Sequence, residues 1–99
     1  MCIRDSKIAN GIADNLITRA ASVAMKERRR LIVIPRETPV SAIHLRNMMI
    51  LAENGADILL PSPAFYNHPK SVNDMVNFVV GRALDLLGIE HALYERWKG

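Results

Sequence analysis

Two short runs of apolar residues on either side of a helical pattern constrain the fold most strongly. The first run occupies 31–34 and reads LIVI, and the second occupies 57–60 and reads DILL. An apolar run without polar alternation is typical of a strand buried on both faces, as in a parallel sheet. The segment between the runs is long enough for the crossover helix that a parallel pair requires. We therefore expect two adjacent parallel strands joined by a right-handed crossover.

Helical patterns fill most of the remaining sequence. Apolar residues spaced three and four apart predict a first helix over 8–27. Ser41 is placed to cap a second helix, although no acidic partner for a capping box follows it, and Gly55 is placed to end that helix. The sequence SVND, which opens the range 71–87, predicts a capping box and a third helix. The segment 90–98 is expected to be short and partly helical.

The predicted order is helix, strand, helix, strand, helix, which is typical of an α/β fold with a parallel sheet. Two strands alone make a poor parallel sheet, and the chain opens with a helix where a doubly wound domain opens with a strand. The glycines lie too far apart in sequence to form a glycine-rich phosphate turn. We therefore interpret the chain as the C-terminal half of a Rossmann-like, flavodoxin-like domain with a parallel sheet.

Composition narrows the classes of function. Apolar residues make up 49% of the chain and charged residues 23%, which are the proportions of a folded domain. No apolar run is long enough for a membrane span, and no secretory signal pattern is visible, so we expect a cytoplasmic protein. Cys2 is the single cysteine, and His44, His68 and His91 share no helical spacing. We therefore expect neither an internal disulfide nor a metal site.

The positive charge of the chain is concentrated in one stretch. The formal net charge is +3, and the range 19–36 holds six cations and a single acid, Glu27. Such a patch could meet nucleic acid, an anionic membrane or a phosphorylated small molecule. Residues 28–30 could equally form a solvated helix end, where cations are favoured by the helix dipole. Because aromatic residues that could stack on bases are missing near the patch, nucleic acid is disfavoured as a partner.

Several candidate ligand contacts follow the predicted strands. Ligands of open α/β sheets bind beyond the carboxyl ends of the strands. Arg36 and Glu37 follow the first strand, and the proline-rich loop 61–69 with Tyr66 follows the second. Arginine suits a phosphate, and a glutamate with a raised pKa can transfer a proton. Alternatively, Arg36 and Glu37 cap the next helix or pair with each other, and Tyr66 packs the loop onto the core.

Three further cations lie on predicted helices. Arg82 lies on the seam between the apolar and polar faces of the third helix, where it either extends to water or meets an anion. Arg19 and Lys26 are seven residues apart on the first helix, so they lie on nearly one face and could form a basic ridge for a phosphate. The simpler interpretation of Arg19 is an exposed helical arginine.

Six blocks of this sequence, in order, resemble the flavin prenyltransferases of the UbiX/Pad type. The blocks are IANGIADNLITRAA at 8–21, KERR at 26–29, PRETP at 35–39, IHL at 43–45, PAFYNHP at 63–69 and VVGR at 79–82. The tail, from GIEH at 88–91 to RW at 96–97, also looks like the C-terminus of that family. The resemblance covers about 7–99 and the last half of a family member. It implies part of a single flavoprotein domain over 7–99, preceded at 1–6 by a non-native lead.

The resemblance implies a transferase that needs no metal. The family joins a dimethylallyl group from dimethylallyl monophosphate to reduced FMN, although monophosphate and diphosphate donors both stay open for this chain. The product, prenylated FMN, is the cofactor of UbiD-type decarboxylases, which links the family to ubiquinone biosynthesis. The family assembles as a homododecamer with active sites at subunit contacts. The alternatives are a related FMN-dependent Cys decarboxylase of the same fold and a truncated, non-catalytic flavoprotein module.

The resemblance also implies roles for six residues. Arg19 matches an arginine that contacts FMN, and Glu37 matches an acid placed for proton transfer. The residues that match those around the prenyl phosphate are Tyr66, Arg82, Lys26 and Arg36. Residues 1–7 do not fit the Cys-Ser-x-Lys-Thr loop with which the family cradles FMN. Most flavin contacts would therefore be missing, and we expect the chain alone to be inactive.

Overall fold

The computed structural model describes the backbone of residues 3–96 and the side-chain burial of residues 6–96. In chain order, the elements are α1 (Ile3–Ala9), α2 (Leu16–Lys26), β1 (Ile32–Val33), α3 (Ala42–Glu53), β2 (Asp57–Ile58), a 3-10 helix (Phe65–Asn67) and α4 (Val72–Leu86). The chain divides after Leu60 into two compact units, which are described separately as the first and the second unit. Within the described residues, every helix is too short or too polar to cross a membrane.

The two strands pair in parallel, as predicted. The register pairs are Ile32 with Asp57 and Val33 with Ile58. The pairing is shorter than the predicted runs 31–34 and 57–60. The Leu59 N–H donates to the Val33 carbonyl at 2.9 Å, and the next bond of the ladder would come from the N–H of residue 35. That residue is Pro35, which has no N–H, so the ladder ends there.

The core of the first unit is small. Its buried members are Val33, Leu51 and Ala56, and Leu51 is completely inaccessible to solvent. The partly buried residues that pack against this core come from α1, α2, the residue before β1 and β2; they are Ile8, Ala9, Met25, Leu31 and Ile58. The predicted boundary between a lead at 1–6 and the domain stays a prediction, and α1 runs across it.

The prediction of one continuous helix over 8–27 is wrong, because α1 ends at Ala9 and α2 begins at Leu16. Gly11 has a φ of +74°, a left-handed conformation that glycine adopts at little cost and that closes α1. Asn15 then caps α2 reciprocally. Its Oδ1 accepts from the Thr18 N–H at 2.9 Å, and its own N–H donates to Thr18 Oγ1 at 3.2 Å. The apolar spacing continues across this break, so the pattern alone did not reveal it.

Helix α3 begins and ends where predicted. Ser41 Oγ accepts from the His44 N–H at 3.2 Å, and the Ser41 N–H donates to His44 Nδ1 at the same distance. A histidine therefore completes the capping box that we expected to lack a partner, because a ring nitrogen accepts the bond that a carboxylate normally accepts. Asn54 ends the helix, and Gly55 follows in the left-handed region at φ +97°.

Helix α4 dominates the second unit. Ser71 Oγ accepts from the Asp74 N–H at 3.1 Å, which confirms half of the predicted capping box. The Asp74 carboxylate bonds to the Lys70 N–H at 2.9 Å instead of the serine N–H. Gly88, at φ +74°, follows the end of the helix. The expectation of partial helix in the last segment is wrong for residues 90–96, and residues 97 and 98 lie outside the described residues.

Candidate functional site

Arg36 and Glu37 are exposed side chains directly beyond the carboxyl end of β1. The structure excludes one alternative for them, because the N-cap of α3 is Ser41. Strand β2 points in the same direction as β1, so both strands end at this edge of the sheet. The edge therefore carries an exposed cation and an exposed carboxylic acid, as predicted from the sequence.

Arg19 and Lys26 both lie on α2. The Arg19 guanidinium donates through Nη2 to the Ala13 carbonyl at 3.3 Å, and its side chain is otherwise exposed. The Lys26 side chain is 73% exposed, and its Nζ lies 3.8 Å from Glu27 Oε1. Both cations therefore keep donors available for a ligand, and their spacing of nearly two turns places them on one face of α2.

The arginine run 28–30 lies at the opposite, amino end of the strands. It lines a cleft of about 740 Å³ together with the end of α3. Arg30 Nη1 lies 2.8 Å from Asp57 Oδ2, and the Arg29 N–H donates to the Ala24 carbonyl at 2.8 Å. Because α2 and α3 both end at this cleft, the arginines face the negative ends of two helix dipoles. This placement favours the interpretation as a solvated helix end over that of a ligand site.

Tyr66 lies on the 3-10 helix of the second unit. Its ring is 54% exposed and meets the edge of Phe78, with 6.3 Å between ring centroids and an interplanar angle of 86°. Arg82 lies one turn after Phe78 on α4, and its side chain is 48% exposed. The Tyr94 hydroxyl most strongly, and Asp85 and Tyr66 more weakly, raise the pKa of Arg82. Tyr66 and Arg82 are therefore both placed with respect to Phe78, Tyr66 by its ring contact and Arg82 one turn further along α4.

Sequence reasoning missed Asp85, which is the centre of the largest side-chain network described in the second unit. Its Oδ1 accepts from Arg96 Nη2 at 2.8 Å and lies 2.7 Å from His91 Nε2. Its Oδ2 accepts from the Tyr94 hydroxyl, from Arg96 Nη1 at 3.2 Å and from Arg82 Nη1 at 3.3 Å. Hydrogen bonds from Arg96 first, then Tyr94 and His91, hold the pKa of Asp85 well below its usual range.

Residues 91–96, here called the tail segment, lie directly against α4. A β-carbon at Gly81 would lie 2.5 Å from Tyr94 Cε1 and 2.8 Å from His91 Cε1, so only glycine fits beneath them. The Tyr94 ring also contacts Phe78, with 4.9 Å between centroids. Except for Arg82, the partners of Asp85 are six to eleven residues away in sequence. That separation has no helical or strand period, which is why pattern analysis did not find the network.

A cavity of about 230 Å³ also lies within the second unit. It is lined by the 3-10 helix, the first half of α4 and the tail segment. The Asn67 Nδ2 atom in its lining is buried and has no hydrogen-bond partner among the residues that the structure describes. Among the residues that the structure describes, the acidic side chains and histidines form no group able to hold a metal ion.

The first unit is an α/β unit with a parallel strand pair, and it carries one cation, Arg36, and one carboxylic acid, Glu37, beyond the strand ends. The family model described as Flavoprotein matches residues 6–84. The chain therefore belongs to the flavoprotein family, and the predicted Rossmann-like fold class is confirmed.

Curated relatives within this family are flavin prenyltransferases. Flavin prenyltransferase UbiX of Methanocaldococcus jannaschii is 58% identical over 92 residues, which cover 93% of this chain and 50% of the relative. Flavin prenyltransferase UbiX of Thermoplasma acidophilum is 62% identical over 92 residues, covering 93% and 51%. The resemblance found in the sequence is therefore confirmed, and the chain spans about half the length of the curated relatives that it matches.

Solved structures agree with these relatives. AnUbiX in complex with FMN and dimethylallyl pyrophosphate matches with a TM-score of 0.95 and 46% identity, over 98% of this chain and 52% of that one. A dodecameric FMN-dependent UbiX-like decarboxylase from Escherichia coli O157:H7 matches with a TM-score of 0.94 and 48% identity, with the same coverage. Phenylacrylic acid decarboxylase from Aquifex aeolicus matches with a TM-score of 0.89 and 50% identity, over 91% and 51%.

Proposed function

We propose that the complete protein carrying this chain is a flavin prenyltransferase, which transfers a dimethylallyl group from dimethylallyl phosphate to reduced FMN. The observation that carries the proposal is the similarity to flavin prenyltransferases, 58% and 62% identity over 92 residues, and in the second unit we assign the donor to Arg82 and Tyr66. Arg82 directs one donor to Asp85 at 3.3 Å, contacts the Tyr94 hydroxyl and keeps about half of its side chain exposed. Its remaining N–H groups suit the phosphate of the donor.

The chemistry of the leaving group explains why such donors are needed. When the bond between the dimethylallyl carbon and the phosphate oxygen breaks, negative charge develops on the phosphate. Fixed donors around it stabilise the transition state more than the ground state. Arg82 lies on a long helix and Tyr66 on a proline-bounded turn, so both are held on stiff elements. We assign both residues to the prenyl phosphate.

The first unit supplies the other proposed roles. Lys26 and Arg36 are further basic residues for the donor phosphate, and Glu37 transfers a proton. Arg19 is assigned to FMN. Its exposed guanidinium donates one hydrogen bond to the Ala13 carbonyl, and its other N–H groups are chemically suited to the anionic and carbonyl oxygens of a flavin. When bound in its reduced form, FMN supplies the nucleophile that accepts the dimethylallyl group.

The proposal extends to assembly and product. The similarity to a dodecameric structure supports a homododecamer. Prenylated FMN would pass to a UbiD-type decarboxylase, with ubiquinone biosynthesis as one setting. Because both proposed substrates are phosphorylated metabolites of the cell interior, we place the enzyme in the cytoplasm. The AnUbiX complex contains the diphosphate donor, so monophosphate and diphosphate donors should both be assayed.

The experiment uses a grafted enzyme, defined as the Methanocaldococcus jannaschii relative with its 92 matched residues replaced by those of this chain. The grafted enzyme should convert reduced FMN and a dimethylallyl phosphate into prenylated FMN, detected by mass spectrometry. The chain alone is expected to be inactive. An FMN-dependent Cys decarboxylase is the second candidate, because two similar structures are described as decarboxylases. Release of CO₂ from a cysteinyl substrate without prenyl transfer would favour that candidate. If the grafted enzyme catalyses neither reaction, a non-catalytic module is favoured.

A further inference from the structure

Asp85 joins Arg82 to the tail segment through one carboxylate. The side chain of Asp85 is 19% exposed, and its Oδ2 atom contacts Arg82, Tyr94 and Arg96 together. We propose that Asp85 is a positioning residue that orients Arg82 toward the donor phosphate. In this proposal Arg96 pairs with the Asp85 carboxylate, so that the positive charge of Arg82 stays available to the phosphate. This inference rests on the proposed role of Arg82 as a ligand of the prenyl phosphate.

The distances show which arginine holds the carboxylate more tightly. Arg96 approaches it with two nitrogens, Nη2 at 2.8 Å from Oδ1 and Nη1 at 3.2 Å from Oδ2. This forked arrangement is the strong form of an arginine–carboxylate pair. Arg82 approaches with a single nitrogen at 3.3 Å, which is long for a charge-assisted bond. Asp85 therefore holds Arg82 in place, while the negative charge of the Asp85 carboxylate is balanced mainly by Arg96.

The charge balance follows from the same contacts. Two guanidinium groups share one carboxylate, so the cluster keeps a net positive charge beside the exposed part of Arg82. If Arg96 were removed, the carboxylate would be free to form the forked pair with Arg82. Arg82 would then be neutralised and turned away from an incoming phosphate. Arg96 therefore acts as a competitor for Asp85, and its presence favours anion binding by Arg82.

Tyr94 completes the support of the guanidinium. Its hydroxyl donates to Asp85 Oδ2, the same oxygen that Arg82 contacts, and it also interacts with Arg82. The Tyr94 ring is held from two sides, by its contact with Phe78 and by the close approach to Gly81. A guanidinium supported in this way loses little conformational freedom when it binds an anion.

The experiment compares four variants of the grafted enzyme: Arg82→Ala, Asp85→Asn, Asp85→Glu and Arg96→Ala. Asp85→Asn should lower kcat/KM for the prenyl donor about 10²-fold, the cost of a misplaced catalytic group, with flavin affinity within about twofold. Asp85→Glu keeps the carboxylate and should recover most of that loss. Arg96→Ala should raise KM for the donor. In the Asp85→Asn variant, Arg96→Ala should cause no further loss, because the carboxylate for which Arg96 and Arg82 compete is gone.

A second measurement does not depend on turnover. Inorganic phosphate should inhibit the unsubstituted grafted enzyme competitively with the donor, and its inhibition constant should rise in Asp85→Asn and Arg96→Ala. Asp74→Asn is the matched control, because that carboxylate lies at the other end of α4 and bonds to the Lys70 N–H. If Asp85→Asn does not fold, Arg96→Lys tests the same idea, since lysine cannot form the forked pair.

The outcomes separate the inference from the function on which it rests. If Arg82→Ala impairs donor kinetics and phosphate inhibition while Asp85→Asn and Arg96→Ala behave like the unsubstituted enzyme, the positioning role is wrong and the proposed function stands. If Arg82→Ala itself leaves both unchanged, the proposed role of Arg82 is wrong. Equal losses of flavin affinity, donor affinity and thermal stability in Asp85→Asn would show that Asp85 only holds the tail segment in place, which also overturns the inference.

Discussion

The ring of Tyr94 covers Gly81 so closely that a β-carbon on the glycine would lie 2.5 Å from Cε1 of the tyrosine. Gly81 lies inside α4, where glycine normally costs about 1 kcal/mol relative to alanine. The chain therefore gives up helix stability at this position to let the tail segment pack against the helix. The proximity of Arg82 to Tyr94 depends on that packing.

Substitution of the glycine tests this relationship. Gly81→Ala should destabilise the second unit by about 1–3 kcal/mol, the usual cost of overpacking, although the same change in an open helix would stabilise it. The thermal midpoint of the grafted enzyme measures the effect. In a Tyr94→Ala background the loss caused by Gly81→Ala should shrink but persist, because the β-carbon would still lie 2.8 Å from His91 Cε1. A Gly81→Ala variant that is more stable than the parent would show that the tail segment does not pack there.

The cap of α2 provides a second test, in the first unit. Asn15→Ala should destabilise by about 1 kcal/mol, because it removes the acceptor of the Thr18 N–H at the start of the helix. Asn15→Ser should retain most of the stability. Asn10→Ala is the control, since the Asn10 side chain donates to the Ser6 carbonyl in an exposed hydrogen bond. Thermal unfolding followed by circular dichroism measures all three, and equal midpoints for Asn15→Ala and Asn10→Ala would contradict the cap.

The carboxylate of Asp85 predicts a pH dependence. The pKa of Asp85 is lowered in the folded state, first by Arg96 and then by Tyr94 and His91, whereas the unfolded value is about 3.9. Its contribution to stability is therefore fully present above the unfolded pKa and is lost as the pH falls through the folded pKa. The thermal midpoint of the parent should exceed that of Asp85→Asn at about pH 5–7, and the difference should shrink below about pH 4. A difference that stays constant down to pH 2 would exclude the carboxylate as its source.

Kinetics should separate the roles of two arginines. Arg82→Ala should lower turnover about 10²–10³-fold at saturating flavin, the usual effect of removing one transition-state donor, with FMN affinity near normal. Arg19→Ala should weaken FMN binding first. Steady-state turnover and flavin titration of the grafted enzyme measure both effects. Loss of FMN binding in Arg82→Ala with normal turnover at saturating flavin would reverse the assignment.

The isolated chain is expected to associate. Leu16, Ile43 and Met49 each expose more than half of their surface, and such apolar patches favour contacts between copies. The short β1–β2 sheet also has open edges among the residues that the structure describes. Size-exclusion chromatography with light scattering should therefore show species larger than a monomer. A monomer with a cooperative melt would contradict this expectation.

Local sequence patterns predicted the presence of the helices and strands better than the residues at which they begin and end. The direction of the strands and the ends of α3 follow from apolar runs and from residues such as Ser41 and Gly55, whose preferences act over a few neighbours. The break before α2 was missed because Gly11 and Asn15 interrupt a helix without interrupting the apolar spacing. Asp85 was missed because its tail partners are distant in sequence. Roles for Tyr66 and Arg82 came from the family resemblance, since spacing alone left each with a structural alternative.

The proline that ends the β1–β2 ladder has a consequence for how this protein can diversify. Between Val33 and the start of α3 beyond Ser41, the chain makes no backbone hydrogen bond to the other strand. A change of length or sequence in that interval leaves the strand register untouched, because no inter-strand bond spans it. Arg36 and Glu37 lie in this interval, so the residues proposed to act on the donor can change while the scaffold is kept.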